Sequence, residues 1–495
     1  MLGLVRNLMR QAGRVLGLGR AEPARRSVRA SYDAAQTTSE NSSHWAWADS
    51  LNGNAAHDPA TRQTLRERAR YEYDNNGHAQ GLIDKIAYGL VGTCPRLQLA
   101  IPGAAREACR AIELAYSRWC LATGLGAKLR LLHVMRVRDG EGFGLLHTNP
   151  ALDPHGVQLD LRLYETDQVG TPFFLWTDPL AFDGGRLDES GNVVEWHLRK
   201  VHPGSNVWVS NYLAYEHIPA RDMVHWYRQR RAGQIRGVPE ITAALPLFAM
   251  LRRYGLATLS AAELAAMLAG VLESDTPAVD GSPVEVASMD EVQLARGALL
   301  TLPAGWKASQ FKPEQPVSSY KDFKAEVLTE AGQPLQAPRN VATGSSAEYN
   351  YSSGRLDHLP YEQCLRVQRY DLRQAVLDPV FRAWLNEAVF VPGLLPEGLP
   401  PIAAWSWEWH YDGTGSIDPE KDAKTDELEL RNGTTTLAEI YARKGLDWEE
   451  QLRQRAREIA LARELGLTGS GTPAAPATPP PQQTQQSEEV ADAPA

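Results

Sequence analysis

Residues 239–272 read PEITAALPLFAMLRRYGLATLSAAELAAMLAGVL. Ala and Leu dominate, so the run is helical, and Pro246, which has no N–H to donate, bends or restarts it. The Leu and Met positions span a broad arc, while Ala261, Ala262, Ala265, Ala266, Ala269 and Gly270 keep the helix thin. A thin helix lets its neighbours approach closely. It belongs either to the core of one monomer or to a ring in which it packs against copies of itself. Tyr254 to Leu272 is long enough to cross a bilayer, but it carries Glu263 near its centre and follows Arg252 and Arg253. A charge at that depth costs about 2.5–3.5 kcal/mol, so a buried soluble helix is expected.

Upstream, Thr61 to Tyr73 is a charged helical stretch, a second runs from the Asn75-Asn76-Gly77 break to about Leu90, and Ala104 to Leu121 makes a third. From about Gly156 the period becomes two: Val157, Leu159, Leu161 and Leu163 alternate with Gln158, Asp160, Arg162 and Tyr164. That spacing, with turn signals at Asp183-Gly184-Gly185 and Ser190-Gly191-Asn192, makes 156–227 a β-rich antiparallel module. Downstream, a Pro-punctuated segment runs to Pro316 and a short helix from about Ser319 to Ala331. Gln333 to Arg355 is long, polar and Gly/Ser-rich and reads as a loop. A strong helix follows from about Leu359 to Leu385, with a bend at Asp378-Pro379. Three capped helices close the ordered chain: Asp418-Pro419 opens one that stops at Asn432-Gly433, Thr436 to Glu439 opens one that stops at Gly445, and Asp447 to Glu450 opens one that stops at Gly466. The fold class is α+β.

The chain has 495 residues, which suggests about three domains or one large elaborated one. Its composition is globular, and the net charge is −9. Proteins that grip nucleic acid are usually basic, so this balance argues against tight static DNA binding. Four cysteines, none in a CxxC pair, read as free buried thiols in a reducing cytoplasm. The first thirty residues carry Arg6, Arg10, Arg14, Arg20, Arg25, Arg26 and Arg29 against only Glu22, a basic arm with no secretory h-region. Gly469 to Ala495, rich in Pro, Ala and Gln, is expected to be a disordered tail.

Motifs for chemistry are missing. There is no GxxxxGK[ST], GxSxG or HExxH, and Gly140 to Gly144 has the wrong spacing for a dinucleotide site and reads as a flexible turn. Asp412 to Asp418 lacks the alternating carboxylates of a calcium loop and reads as a polar turn before a helix cap. His225-Trp-Tyr-Arg-Gln-Arg-Arg231 with Arg236-Gly-Val-Pro239 mixes basic and aromatic residues; a strand end followed by an exposed basic loop is favoured over a nucleic-acid site or an interface. No catalytic residue, metal ligand or cofactor is expected.

Several stretches, taken in order, resemble the lambda-type family of tailed-phage portal proteins. They are Arg29-Ala-Ser-Tyr-Asp-Ala-Ala-Gln, the Trp-rich stretch from His44 to Asp49, Arg66-Glu-Arg-Ala-Arg-Tyr-Glu72, Val91-Gly-Thr-Cys-Pro95, Gln234-Ile-Arg-Gly-Val-Pro239, Asn350-Tyr-Ser-Ser353, Asp412 to Lys421, and Glu439 to Leu467. Departures are Gly354, where the family is expected to have Ala, and Thr329 to Arg339, whose glycine and prolines weaken a helix end. The resemblance implies a portal-protein fold closed into a ring of about twelve subunits at one capsid vertex. Double-stranded DNA passes through its channel, driven by a separate terminase. Major capsid or scaffold proteins and head–tail connector proteins are the other partners, with no membrane involved. The location implied is the virion, after assembly in the host cytoplasm.

Mapped onto this chain, the resemblance implies a basic arm (1–30), a mixed α/β wing (31–236), a stem helix (237–272), a small α/β clip (273–317) and a second stem helix (318–332). A tunnel loop with a long tunnel-lining helix (333–390), a wing return (391–433), a helical crown (434–467) and the tail (468–495) complete it. Arg339, Asn340, Tyr349, Asn350, Tyr351 and Arg355 are the implied DNA-channel residues. The rival readings are a phage-encoded hydrolase with a dispersed active site and a capsid adaptor that conducts no DNA.

Overall fold

The Asp58 carboxylate accepts the N–H groups of Ala60 and Thr61 at 2.9 and 3.1 Å, and Pro59 has no N–H to satisfy; together they start α1 (Pro59–Asn75). Asn76 ends α1 and caps α2 (Gly77–Val91), accepting from the N–H of His78 at 3.1 Å. The computed structural model describes residues 39, 42–46, 48–172, 175, 178–205, 214–267, 271–274, 306–309, 317–347, 349–413 and 418–467. The basic arm, most of 273–317 and the C-terminal tail lie outside the described residues. Residues 1–56 form one unit, whose described residues make turns and irregular chain, and 57–495 form the other.

β1 (Arg96–Ala100) and α3 (Arg106–Thr123) follow, and Gly124, at φ +63°, links α3 to α4 (Leu125–Asp139). Helix α4 was not anticipated. Leu125, Leu129, Leu132, His133, Val134, Met135, Arg136 and Val137 are all buried, so it has no one-sided apolar stripe to read.

The next segment corrects an expectation. Gly140 to Gly144 is no flexible turn but leads into β2 (Glu141–Thr148), a largely buried strand. A Cβ on Gly142 would lie 2.6 Å from a Leu132 methyl, and one on Gly144 would lie 2.8 Å from a Leu161 methyl. The glycines let α4 and the neighbouring strand close on β2; they are there for packing and not for mobility. Then come β3 (Leu159–Tyr164), β4 (Ala181–Phe182), β5 (Gly185–Leu187), β6 (Val193–Arg199), β7 (Tyr215–Pro219) and β8 (Met223–Tyr227), where period two was read. They make two antiparallel sheets, ordered β3-β2-β8 and β4-β5-β6-β7. Asp183 and Gly184, at φ +45° and +88°, form the two-residue β4–β5 turn.

A 3₁₀ turn over Glu240–Ala244 precedes α5 (Leu245–Met267), so Pro246 sits in the first turn and restarts the helix. No helix among the described residues is long and apolar enough to cross a membrane. β9 (Val271–Ser274) pairs antiparallel with β10 (Trp306–Ser309), and α6 (Val317–Gly332) packs on α5 through Tyr254, which meets the Tyr320 and Phe323 rings at 5.6 and 5.0 Å.

The polar stretch expected to be a loop holds a 3₁₀ turn at Gln333–Leu335 and α7 (Arg339–Thr343), ended by Gly344 at φ +74°. Helix α8 (Tyr351–Leu372) begins eight residues before the expected Leu359, because Asn350 and Ser353 form a capping box. The bend expected at Asp378-Pro379 takes the form of a π turn over 373–377 leading into α9 (Asp378–Ala388), where the proline again supplies no N–H. β11 (Ser406–His410) returns to pair with β1, Leu97 opposite Trp409. Its tryptophans close a core in which Tyr116 meets Phe381 and Trp384 edge to face, and Asp378 Oδ1 accepts the indole N–H groups of Trp407 and Trp409, both at 2.8 Å. Helices α10 (Pro419–Asn432), α11 (Leu437–Arg443) and α12 (Trp448–Glu464) carry the expected caps: Asp418, Thr436 and Asp447 each accept first-turn N–H groups. All four cysteines are free, Cys109 and Cys120 buried and Cys94 and Cys364 half-buried.

Candidate functional site

Five of the six candidate channel residues are gathered where α7 leads into α8. Arg339, at the start of α7, donates to Glu326 at 2.6 Å, and Asn340 bonds the ring of His358 at 3.0 Å. Tyr349 donates to the Asp357 carboxylate, and burial together with that carboxylate pushes its hydroxyl pKa up. Asn350 is committed to its cap, and Tyr351 is the first residue of α8. Arg355, one turn on, turns away from this group to Asp422 of α10 at 3.6 Å. Lys85 of α2 also belongs here, donating to Val341 O at 3.3 Å. The sequence offered no signal for it, since 256 residues separate the two. At Gly354, where alanine was expected, a Cβ would stand 3.3 Å from a Tyr349 ring carbon.

Beyond this cluster, α8 presents Leu356, Leu359, Val367 and Tyr370, each 48–67% exposed. Steps of three, eleven and fourteen residues from Leu356 place all four on one narrow face of the helix. On α5, Leu256 and Leu259 are likewise exposed.

The densest charge cluster lies elsewhere and is sealed. Glu141, at the start of β2, is fully buried and accepts from Arg236 at 2.7 Å, Arg62 at 3.3 Å, His225 at 2.8 Å and the Gly237 N–H at 2.9 Å. Asp183 pairs with both arginines. Burial alone would raise the pKa of Glu141; Arg236, His225 and Arg62 more than reverse this and hold it well below the usual carboxylate range. Beside it, Arg136 pairs with Glu240 at 2.6 Å and lies over the Trp226 ring at 4.3 Å. Hence only Gln229 to Gly233 form the exposed basic loop that was expected. From Gln234 the chain turns inward, and Arg236 is a structural ion-pair partner. Gly237 is needed there because its Cβ would lie 2.1 Å from Gly140 O. A catalytic carboxylate needs access to substrate, and none of this cluster lines the cavity of about 540 Å³ between α3, β1 and α12 or the one of about 940 Å³ between β2, β8 and α9.

His133, in the middle of α4, is also sealed, and burial pushes it down to about 3. Its folded pKa is depressed below the unfolded value of about 6.5, so its contribution is complete above pH 6.5 and is lost as pH falls. Between pH 7 and pH 5 this one residue is expected to remove about 2 kcal/mol of stability. Urea titrations at the two pH values check it: His133→Leu should shrink the difference by about that amount, and an unchanged difference would show His133 protonates freely in the folded state.

Comparison with known proteins bears on the whole chain. The sequence profile described as "Phage portal protein, lambda family" matches residues 40–369, about two thirds of the chain. A "Probable portal protein" of Halomonas phage phiHAP-1 is 25% identical over 483 residues, covering 90% of each chain. Among solved structures, a chain from "Virion of native gene transfer agent (GTA) particle" aligns at TM-score 0.43 and 16% identity, over 78% of this chain and 94% of that one. A chain from "Neck of empty GTA particle computed with C6 symmetry" aligns at TM-score 0.45 and 14% identity, over 80% and 99%.

Proposed function

The chain belongs to the lambda family of phage portal proteins, and on that premise we propose that about twelve copies close into a ring at one capsid vertex, through which double-stranded DNA is packaged and later ejected. The ring is a conduit and not the motor. The chain has no phosphate-binding loop, its densest charge cluster is sealed, and a separate terminase supplies the work. In this reading 31–236 and 391–433 form the wing, 237–272 and 318–332 the stem, 273–317 the clip, 333–390 the tunnel wall and 434–467 the crown. Capsid or scaffold proteins contact the outside, and head–tail connector proteins dock after packaging.

The observation that carries the ring is the apolar stripe on α8. An exposed row of Leu356, Leu359, Val367 and Tyr370 on one helix face is unusual for a soluble monomer and marks a surface that a partner covers. In a closed ring, the adjacent copy is that partner. The second support is electrostatic. Arg339, Asn340, Tyr349, Asn350, Tyr351 and Arg355 are the residues assigned to the bore, and both arginines already face carboxylates of their own chain. A phosphate must compete for them, so contacts are weak and exchange easily as DNA slides.

Native mass spectrometry and negative-stain imaging of the purified chain test this reading. A closed oligomer near twelve copies with an open centre is expected. A monomer at every concentration and salt would return the hydrolase reading, and a ring with a plugged centre would return the adaptor.

A further inference from the structure

β6 and β7 pair with His197 directly opposite His217, and Glu195 lies two residues before His197 on the same face of the sheet. Glu195 Oε1 is 2.5 Å from His217 Nδ1 and 3.2 Å from His197 Nε2. The two imidazoles meet edge to face, centroids 4.9 Å apart at 90°. One ligand-capable atom from each of the three residues lies within 4.8 Å of the other two. His197 is completely buried, and its ring nitrogen Nε2 faces the same Glu195 oxygen that His217 meets. Two imidazoles, one of them fully buried, thus converge with a carboxylate on one point, and the strands on which they stand hold them there without a ligand. On the opposite face Trp196, Leu198 and Ile218 sit in the core, which fixes the strands and therefore this row.

We propose that Glu195, His197 and His217 bind one first-row transition-metal ion of the zinc type. Two imidazoles and one carboxylate are the donors such an ion takes, whereas calcium and magnesium require mostly oxygen. With bonds of about 2.0 Å, tetrahedral ligand atoms stand about 3.3 Å apart, close to the 3.2 Å between Glu195 and His197. The fourth position opens to water on the side of His217, whose side chain is half exposed. Arg186, opposite Glu195 on β5, is the nearby cation, and its side chain is directed at Asp178, 4.0 Å away. The sequence alone points to no metal because the ligands come from two strands 22 positions apart, in no recognised spacing. A second grouping, Glu165, Asp167 and His202, differs in one decisive way: Asp167 already pairs with Arg66 and Arg70, both at 2.8 Å, and two guanidinium groups repel a metal cation.

The test is titration of chelator-stripped, full-length protein with Zn²⁺ by calorimetry and with Co²⁺ by visible absorption. The wild type is expected to bind one ion per chain, to develop the intense ligand-field bands of four-coordinate cobalt, and to unfold at a higher temperature with Zn²⁺ present. His217→Ala, at an exposed position that does not threaten folding, should weaken binding by about 100-fold or more and abolish the thermal shift. Glu195→Gln should weaken it as well, while His202→Ala should bind like the wild type. Equal affinity in wild type and His217→Ala, no uptake by the wild type, or loss of binding in His202→Ala instead would each overturn the assignment.

Discussion

Replacing Glu141 with alanine is expected to remove about 3–5 kcal/mol of stability, a large share of the roughly 5–15 kcal/mol that holds an ordinary domain folded. The reason is the state in which its partners are left. Arg62 and Arg236 are as buried as Glu141 itself, and without it they share only Asp183. His225 and the Gly237 N–H also lose their acceptor. The residues bonded to Glu141 belong to α1, β8 and the turn into α5, so the damage spreads to every element that meets there. Glu141→Gln keeps the shape and part of the hydrogen bonding and should fall between alanine and wild type. Equilibrium urea unfolding measures all three, and an alanine variant within about 1 kcal/mol of wild type would show that the cluster does not hold these elements together. Acid should reproduce the loss. The folded pKa of Glu141 is depressed, so its contribution is complete above the unfolded value of about 4.3 and disappears as pH falls below it.

Changing both Leu356 and Val367 to glutamate is expected to leave a folded monomer that no longer forms rings. Each side chain is more than half exposed in the single chain, so its replacement should shift monomer stability by no more than about 0.5 kcal/mol. Covered by a neighbouring copy, each would contribute about 1.5–3 kcal/mol. Losing both amounts to roughly 3–6 kcal/mol per interface, or about 10²- to 10⁴-fold in subunit affinity. The unpaired carboxylates then add a desolvation cost. Mass spectra showing rings at wild-type concentrations would mean that α8 faces something other than its neighbour.

What could be read in the sequence were features with local causes. Asp58, Asn350, Thr436 and Asp447 mark helix starts because a short polar side chain accepts its own first-turn N–H groups, and two of these four were read in advance. These two are Thr436 and Asp447; the capping box of Asn350 is masked by the polar stretch around it. Helix α4 was missed for the opposite reason, burial on all sides, and β2 because its glycines suggest freedom when read alone. The strict alternation of Trp405, Trp407 and Trp409 was a strand signal that went unused. The Glu141 cluster was beyond any local reading, since its partners stand 79, 84 and 95 positions away. Of the channel candidates, a local reading could not anticipate that Arg339 and Arg355 are answered by Glu326 and Asp422 of the same chain.

The pairing of β1 with β11 also sets a clock. Arg96 lies opposite His410, so the strand that completes this edge leaves the ribosome 314 residues after its partner. At about 5–20 residues per second, the first-made strand waits roughly 15–60 s with its edge open. During that interval the aromatic core around Tyr116 lacks Trp407 and Trp409, which complete it in the folded chain. The core around Tyr116 can therefore close only after residue 410 is made.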